Sequence, residues 1–170
     1  MSATNSNPTT RQVGKLTLTV LSDRQAQLTR VFDAPRRLIW EAISKPEHLR
    51  HWWGPRRNTM VSCELDFRSG GSYRYVLRGP DGNDYAFHGE IREVLPPERV
   101  VQTFVFEGIA GAESLEALTL TEHDGKTTLS VISTVASLEA LEGMLQSGME
   151  EGAAETYDRL EEYLASLAAR

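Results

Sequence analysis

Few residues in this chain have both the type and the spacing to do chemistry. His88-Gly89-Glu90 carries the H-x-E spacing of zinc deaminases, yet that site also needs two cysteines and the chain has one, Cys63. On a strand register, His88 and Glu90 also fall opposite the apolar face. His48 and His51 are three apart, a spacing that could ligate a metal, but no third ligand follows at a diagnostic interval. Cys63 is followed by Glu64 and lacks a placed base, so it reads as a small core residue. There is no G-x-S-x-G elbow, phosphate loop or G-x-G-x-x-G. No catalytic residue, metal site or cofactor is therefore expected. What remains is a set of aromatics on alternating positions and three glycines, Gly143, Gly148 and Gly152, inside a helical pattern. A glycine there costs about 1 kcal/mol relative to alanine.

The elements that must position these groups are well signposted. Leu16, Leu18 and Val20 alternate with threonines, the period of a half-buried strand, and 25–32 follows as its hairpin partner. Asp33 and Pro35 suit the start of a short helix with Leu38, Ile39, Ala42 and Ile43 as its stripe, and Ser44…Glu47 fits a capping box for a second. Gly54-Pro55 ends that second helix. Strands are expected at 60–68, 72–78, 84–94 and 99–107, followed by a meander through Ser114–Glu122 and Thr127–Val135. In 99–107 both faces are apolar, so its inward side stays open. From Ser137 to Ala168, Leu141, Leu145, Gly148, Gly152, Thr156, Leu160, Tyr163 and Leu167 share one helical face. One long helix with one apolar face should lie on the apolar face of the sheet.

Composition narrows the function class. At 170 residues, 40% hydrophobic and 25% charged, the chain suits a single globular domain over 13–170, after a polar leader over 1–12 expected to be disordered. No apolar run approaches ~18 residues, so no membrane span is expected. A lone cysteine and the absence of a signal-like segment make the cytoplasm the expected location. The net charge of −6 argues against a nucleic-acid partner.

The stretch Phe32 to Pro55 then becomes familiar. Asp33-Ala-Pro35, Trp40, Pro46-Glu-His-Leu49 and Trp52-Trp-Gly-Pro55 are matched further on by Gly70-Gly71, Asp81-Gly82, Gly89-Glu90, Pro96-Pro-Glu-Arg99, Asp124-Gly125 and Gly148…Leu160…Leu164. With these residues the chain resembles the bacterial branch of the START-like (helix-grip) superfamily. Within it, the chain is similar to the activator of heat-shock-protein ATPase homologue-like domains of the polyketide cyclase/dehydrase and lipid-transport group. The resemblance covers about residues 25 to 166. It implies an α+β helix-grip fold: a curved antiparallel sheet wrapped around a long C-terminal helix, with two short helices closing one end. It also implies a hydrophobic cavity between sheet and helix.

The candidate lining is Trp53, Cys63, Leu65, Phe67, Tyr73, Tyr75, Phe87, Gly89, Met144, Gly148 and Gly152. Aromatics facing a glycine-bearing helix can wall a ligand site, with the phenols orienting the ligand. They can equally fill a core that the glycines let the helix approach. The expected function is non-enzymatic binding of a small apolar or amphipathic molecule. A cyclase or hydrolase working in the same cavity, and a chaperone-interaction module, are the alternatives.

Overall fold

Alternating apolar and polar residues in segment after segment produce one antiparallel sheet, because each segment has one face to hide and a tight turn to its neighbour. A computed structural model describes residues 9–109 and 113–169. Its elements are β1 (Thr9–Val13), β2 (Leu16–Ser22), β3 (Gln25–Phe32), α1 (Arg36–Ser44), α2 (Pro46–Trp52), β4 (Thr59–Leu65), β5 (Ser72–Arg78), β6 (Asp84–Leu95), β7 (Arg99–Phe106), β8 (Glu113–His123), β9 (Lys126–Thr134), α3 (Leu138–Gln146) and α4 (Met149–Ala168). The nine strands run in the order β1-β2-β3-β9-β8-β7-β6-β5-β4. Register shifts at Val20/Ser22, Met60/Ser62 and Ile91/Glu93 bend the strands and curve the sheet. The helices lie on its concave side, and α1 and α2 bridge β3 to the far edge strand. This is the α+β helix grip.

Two apolar clusters hold the layers together. One gathers Phe32, Ile39, Leu49, Trp52, Tyr73, Tyr75, Leu129, Leu160 and Leu164, joining the sheet to α1, α2 and α4. The other gathers Leu16, Leu18, Leu28, Leu141 and Ala154 and fastens α3 and the start of α4 to β2 and β3.

Four local features differ from the sequence expectation. Residues 9–12, assigned to the leader, belong to β1. Their side chains are exposed, and they are held by backbone pairing with β2 and by polar contacts, Arg11 on Glu150 among them, of which hydropathy carries no trace. Asp33 does not cap α1; the Arg36 N–H donates instead to Glu122 Oε1 at 2.8 Å. Ser44 forms no capping box, since α2 starts one residue later with Lys45 as its N-cap and the Ser44 hydroxyl donates to the Glu41 carbonyl. The long C-terminal helix is broken. Gly148 adopts φ 80°, the left-handed region that glycine enters without strain, and α4 starts anew after it. Helical periodicity continues across the break, which hides it from a count of apolar positions.

Candidate functional site

The stop after α2 places an aromatic cluster on the concave face. Trp53 caps α2 with its N–H on the Leu49 carbonyl at 3.0 Å. Gly54 then turns the chain at φ 96°, where an added Cβ would sit 2.7 Å from Leu77 Cδ1. This turn separates the two tryptophans. Trp52 is buried and its indole donates to the Ala42 carbonyl at 3.0 Å. Trp53 stays half-buried, edge-on to Tyr75 and Phe87 at 5.0 and 5.1 Å between ring centroids. Phe87 lies 5.6 Å from Phe104 and 5.1 Å from Phe106. These rings offer edges and faces within the usual range for aromatic contact.

Register explains why they meet. Cys63 pairs with Tyr75, Leu65 with Tyr73, Tyr75 with Phe87, Tyr73 with Gly89 and Phe87 with Phe106 across β4 to β7. Directly paired residues share a face. Gly89 has a specific duty there. The Tyr73 hydroxyl donates to the Thr103 carbonyl at 2.6 Å, crossing the strand at Gly89. A Cβ on Gly89 would lie 2.0 Å from that carbonyl oxygen and 2.7 Å from the Tyr73 hydroxyl. Glycine at 89 is the condition for the phenol to cross.

A carboxyl sits farther along the same floor. Glu116 pairs with Gln102 on one side and with Ser133 on the other, in phase with Leu118 and Leu120. Among the described residues its side chain makes no hydrogen bond or ion pair. Burial pushes its carboxyl up to about 7. Tyr157 of α4 faces the same region; burial raises its phenol first, and the Glu116 charge adds to that. The Tyr73 and Tyr75 phenols are also raised by burial, so all three tyrosines stay neutral at physiological pH. Burial likewise raises the Cys63 thiol, with Arg50 partly opposing, which keeps the sulfur from being a thiolate nucleophile. Glu116 and Tyr157 are crowded by protein, yet both keep accessible surface.

The structure brings some expected lining residues together and separates others. Trp53, Cys63, Tyr73, Tyr75, Phe87 and Gly89 share the concave floor, and Leu65 pairs beside Tyr73. Phe67 turns to the end closed by α1, edge-on to Trp40 at 5.5 Å. Met144 packs in the other cluster, against β2 and β3. Gly148 is exposed, so it does not line the interior. Gly152 is partly accessible, and a Cβ built there meets nothing within 4 Å, so no close helix–sheet approach explains that glycine. Gln102, Phe104, Glu116 and Tyr157 complete the floor and roof but did not emerge from the sequence. Glu116 had a signal: an acid in step with Leu118 and Leu120.

The convex face offers a contrast. Two open grooves of about 810 and 710 Å³ run over β4 to β7. Their charges are exposed and mutually satisfied: Arg74 donates to Glu107 at 2.9 Å, and His88 Nδ1 lies 3.0 Å from the same carboxylate. Volume alone does not make a site, and the acids that line the second groove, Glu64, Glu90 and Glu113, are all exposed.

None of the curated proteins matches the sequence at a significant level. Solved structures do. A protein of Rhodobacter sphaeroides is 27% identical, with 89% of this chain and 99% of that one covered and a TM-score of 0.85. Protein Ms6760 from Mycobacterium smegmatis is 31% identical over 90% of this chain and 95% of its own, with a TM-score of 0.76. CalU16 from Micromonospora echinospora shares the fold at 21% identity over 99% of this chain and 90% of its own, with a TM-score of 0.56. The match that names a family spans both the Trp53 turn and Tyr157: the chain belongs to the activator of Hsp90 ATPase homolog 1-like protein family, whose model matches residues 33–165.

Proposed function

We propose that this protein binds a small, largely apolar molecule in the recess between the floor of β5 to β8 and helix α4. The observation that carries the proposal is the state of the inward side chains. Trp53, Phe87, Phe104, Leu118 and Tyr157 face the grip, yet none is fully buried. In a filled core such residues would be sealed. An aromatic group burying about 200 Å² here would gain about 5 kcal/mol before the entropy of association is subtracted.

Titration with the neutral dye Nile red tests this. One equivalent should bind with blue-shifted emission, and L118W, which fills the floor, should weaken binding about tenfold, the worth of roughly 1.4 kcal/mol. Thermal melting would confirm that the variant still folds. Absence of binding, or binding indifferent to L118W in a folded protein, would overturn the proposal.

A second function is favoured by one specific observation. A carboxyl poised near neutrality in an apolar surrounding suits general acid–base work on a bound substrate. A cyclase or hydrolase chemistry would then rest on Glu116, with the phenols as neutral hydrogen-bonding groups. E116Q would abolish turnover while preserving binding; equal loss of both would argue against it.

A further inference from the structure

We propose that the recess selects an aromatic or otherwise apolar ligand bearing a single protonated amine, which docks as the counter-ion of Glu116. This specifies the ligand class for the binding function proposed above and rests on it.

One polar row crosses the floor, and the row beside it pairs Phe104 with the buried Ser114. Gln102, Glu116 and Ser133 are cross-strand neighbours on β7, β8 and β9. Val100, Leu118 and Val131 form the next row toward α1, also in direct register. The aromatic cluster of Trp53, Tyr75 and Phe87 lies along the floor toward β5. A ligand occupying this surface meets rings over its skeleton and a carboxyl at one place only.

Among the described residues, no cation pairs with that carboxyl. The titratable groups facing it are Tyr73 from β5 and Tyr157 from α4, both neutral. Arg30 of β3 acts on Tyr157, but its guanidinium is committed to Asp158 at 2.6 Å and Glu161 at 3.1 Å. Two carboxylates on one arginine offset its charge, leaving its buried Nε–H as the one donor without an acceptor. An ionised carboxylate away from water is costly unless a cation reaches it, and a second carboxylate brought beside it is costlier still. The same recess therefore disfavours fatty-acid-like molecules and favours amines. Since the amine needs the ionised carboxylate, its affinity should rise with pH up to about 7 and then level until the ligand's own amine loses its proton. A neutral analogue should show no such rise.

Calorimetry of the full chain with 2-naphthylmethylamine, 2-naphthylmethanol and 2-naphthoate separates these possibilities. At about pH 8 the amine should bind about tenfold tighter than the alcohol, and about a hundredfold tighter than naphthoate. E116Q should reduce the amine to the alcohol's affinity and leave the alcohol within about threefold. The ranking and its pH dependence in the wild-type protein require no variant. Naphthoate binding as tightly as the amine, or an amine preference that survives E116Q, would overturn the head-group assignment; alcohol binding in the recess would then still stand. If none of the three probes binds, both the assignment and the binding function fail.

Discussion

Two charged residues point into the grip, and the protein treats them oppositely. Arg30 on β3 is 1% exposed, stacked over Phe32 at 5.2 Å and held by Asp158 and Glu161 of α4. Glu116 on β8, across β9 from it, has no such partner. The first pair of layers is riveted: β1 to β3 with α3 and α4, reinforced at the edge by Arg11 on the buried Glu150. In the β5 to β8 half, the Glu116 carboxyl has no ion-pair partner among the described residues. A buried ion held by charges from the opposite layer constrains how helix and sheet sit on each other, even with the Arg30 Nε left without a partner; a charged group lacking such charges does not.

Three changes sharpen this contrast. The largest effect should come from D158N/E161Q, which strands the Arg30 charge inside the protein. Urea denaturation should show a loss of about 3–5 kcal/mol, while R30M, which removes the charge and keeps much of the bulk, should lose less. The reverse order would mean that packing, not charge, governs that end.

E116Q should act with the opposite sign. The folded carboxyl titrates at about 7 against an ordinary 4.5, so between those values the native state holds a proton the unfolded chain has released. Stability contributed by this group therefore falls as pH rises from 4.5 to 7 and is level above. E116Q should be more stable than the wild type by roughly 2 kcal/mol at about pH 8, allowing for the surface the carboxyl keeps, with the gap closing toward pH 4.5. Denaturation midpoints at several pH values would reveal it, and a pH-independent gap would refute it.

The smallest pair concerns the helix glycines. G148A forces a side chain into a left-handed conformation and should lose about 1 kcal/mol. G152A adds a methyl where nothing lies within 4 Å and should gain about 0.5–1 kcal/mol from helix propensity. Equal effects at both sites would contradict the break at Gly148.

Most of the fold was legible because each strand declares one face. The alternation in 16–22, 72–78 and 84–94 is local, and local structure follows it. β1 was not legible, since Thr9 to Val13 hides almost nothing and is recruited by backbone pairing. Nor was the helix break, because Leu141, Leu145, Leu160 and Leu164 keep helical period across a glycine whose φ no pattern shows. Arg30 and Glu116 carry the same signal, a charge in step with an apolar face. Their different fates depend on Asp158 and Glu161, more than a hundred residues from Arg30 in the chain. A pattern of one strand can mark such positions but cannot say which will find a partner.

Diffraction from crystals grown with 2-naphthylmethylamine tests the central claim most directly. The proposed site predicts density for the ring system between Tyr157 and the Trp53–Tyr75–Phe87 cluster, with its nitrogen within hydrogen-bonding distance of Glu116. Protein side chains closing that space, or Glu116 bonded to a cation of the chain itself, would contradict it.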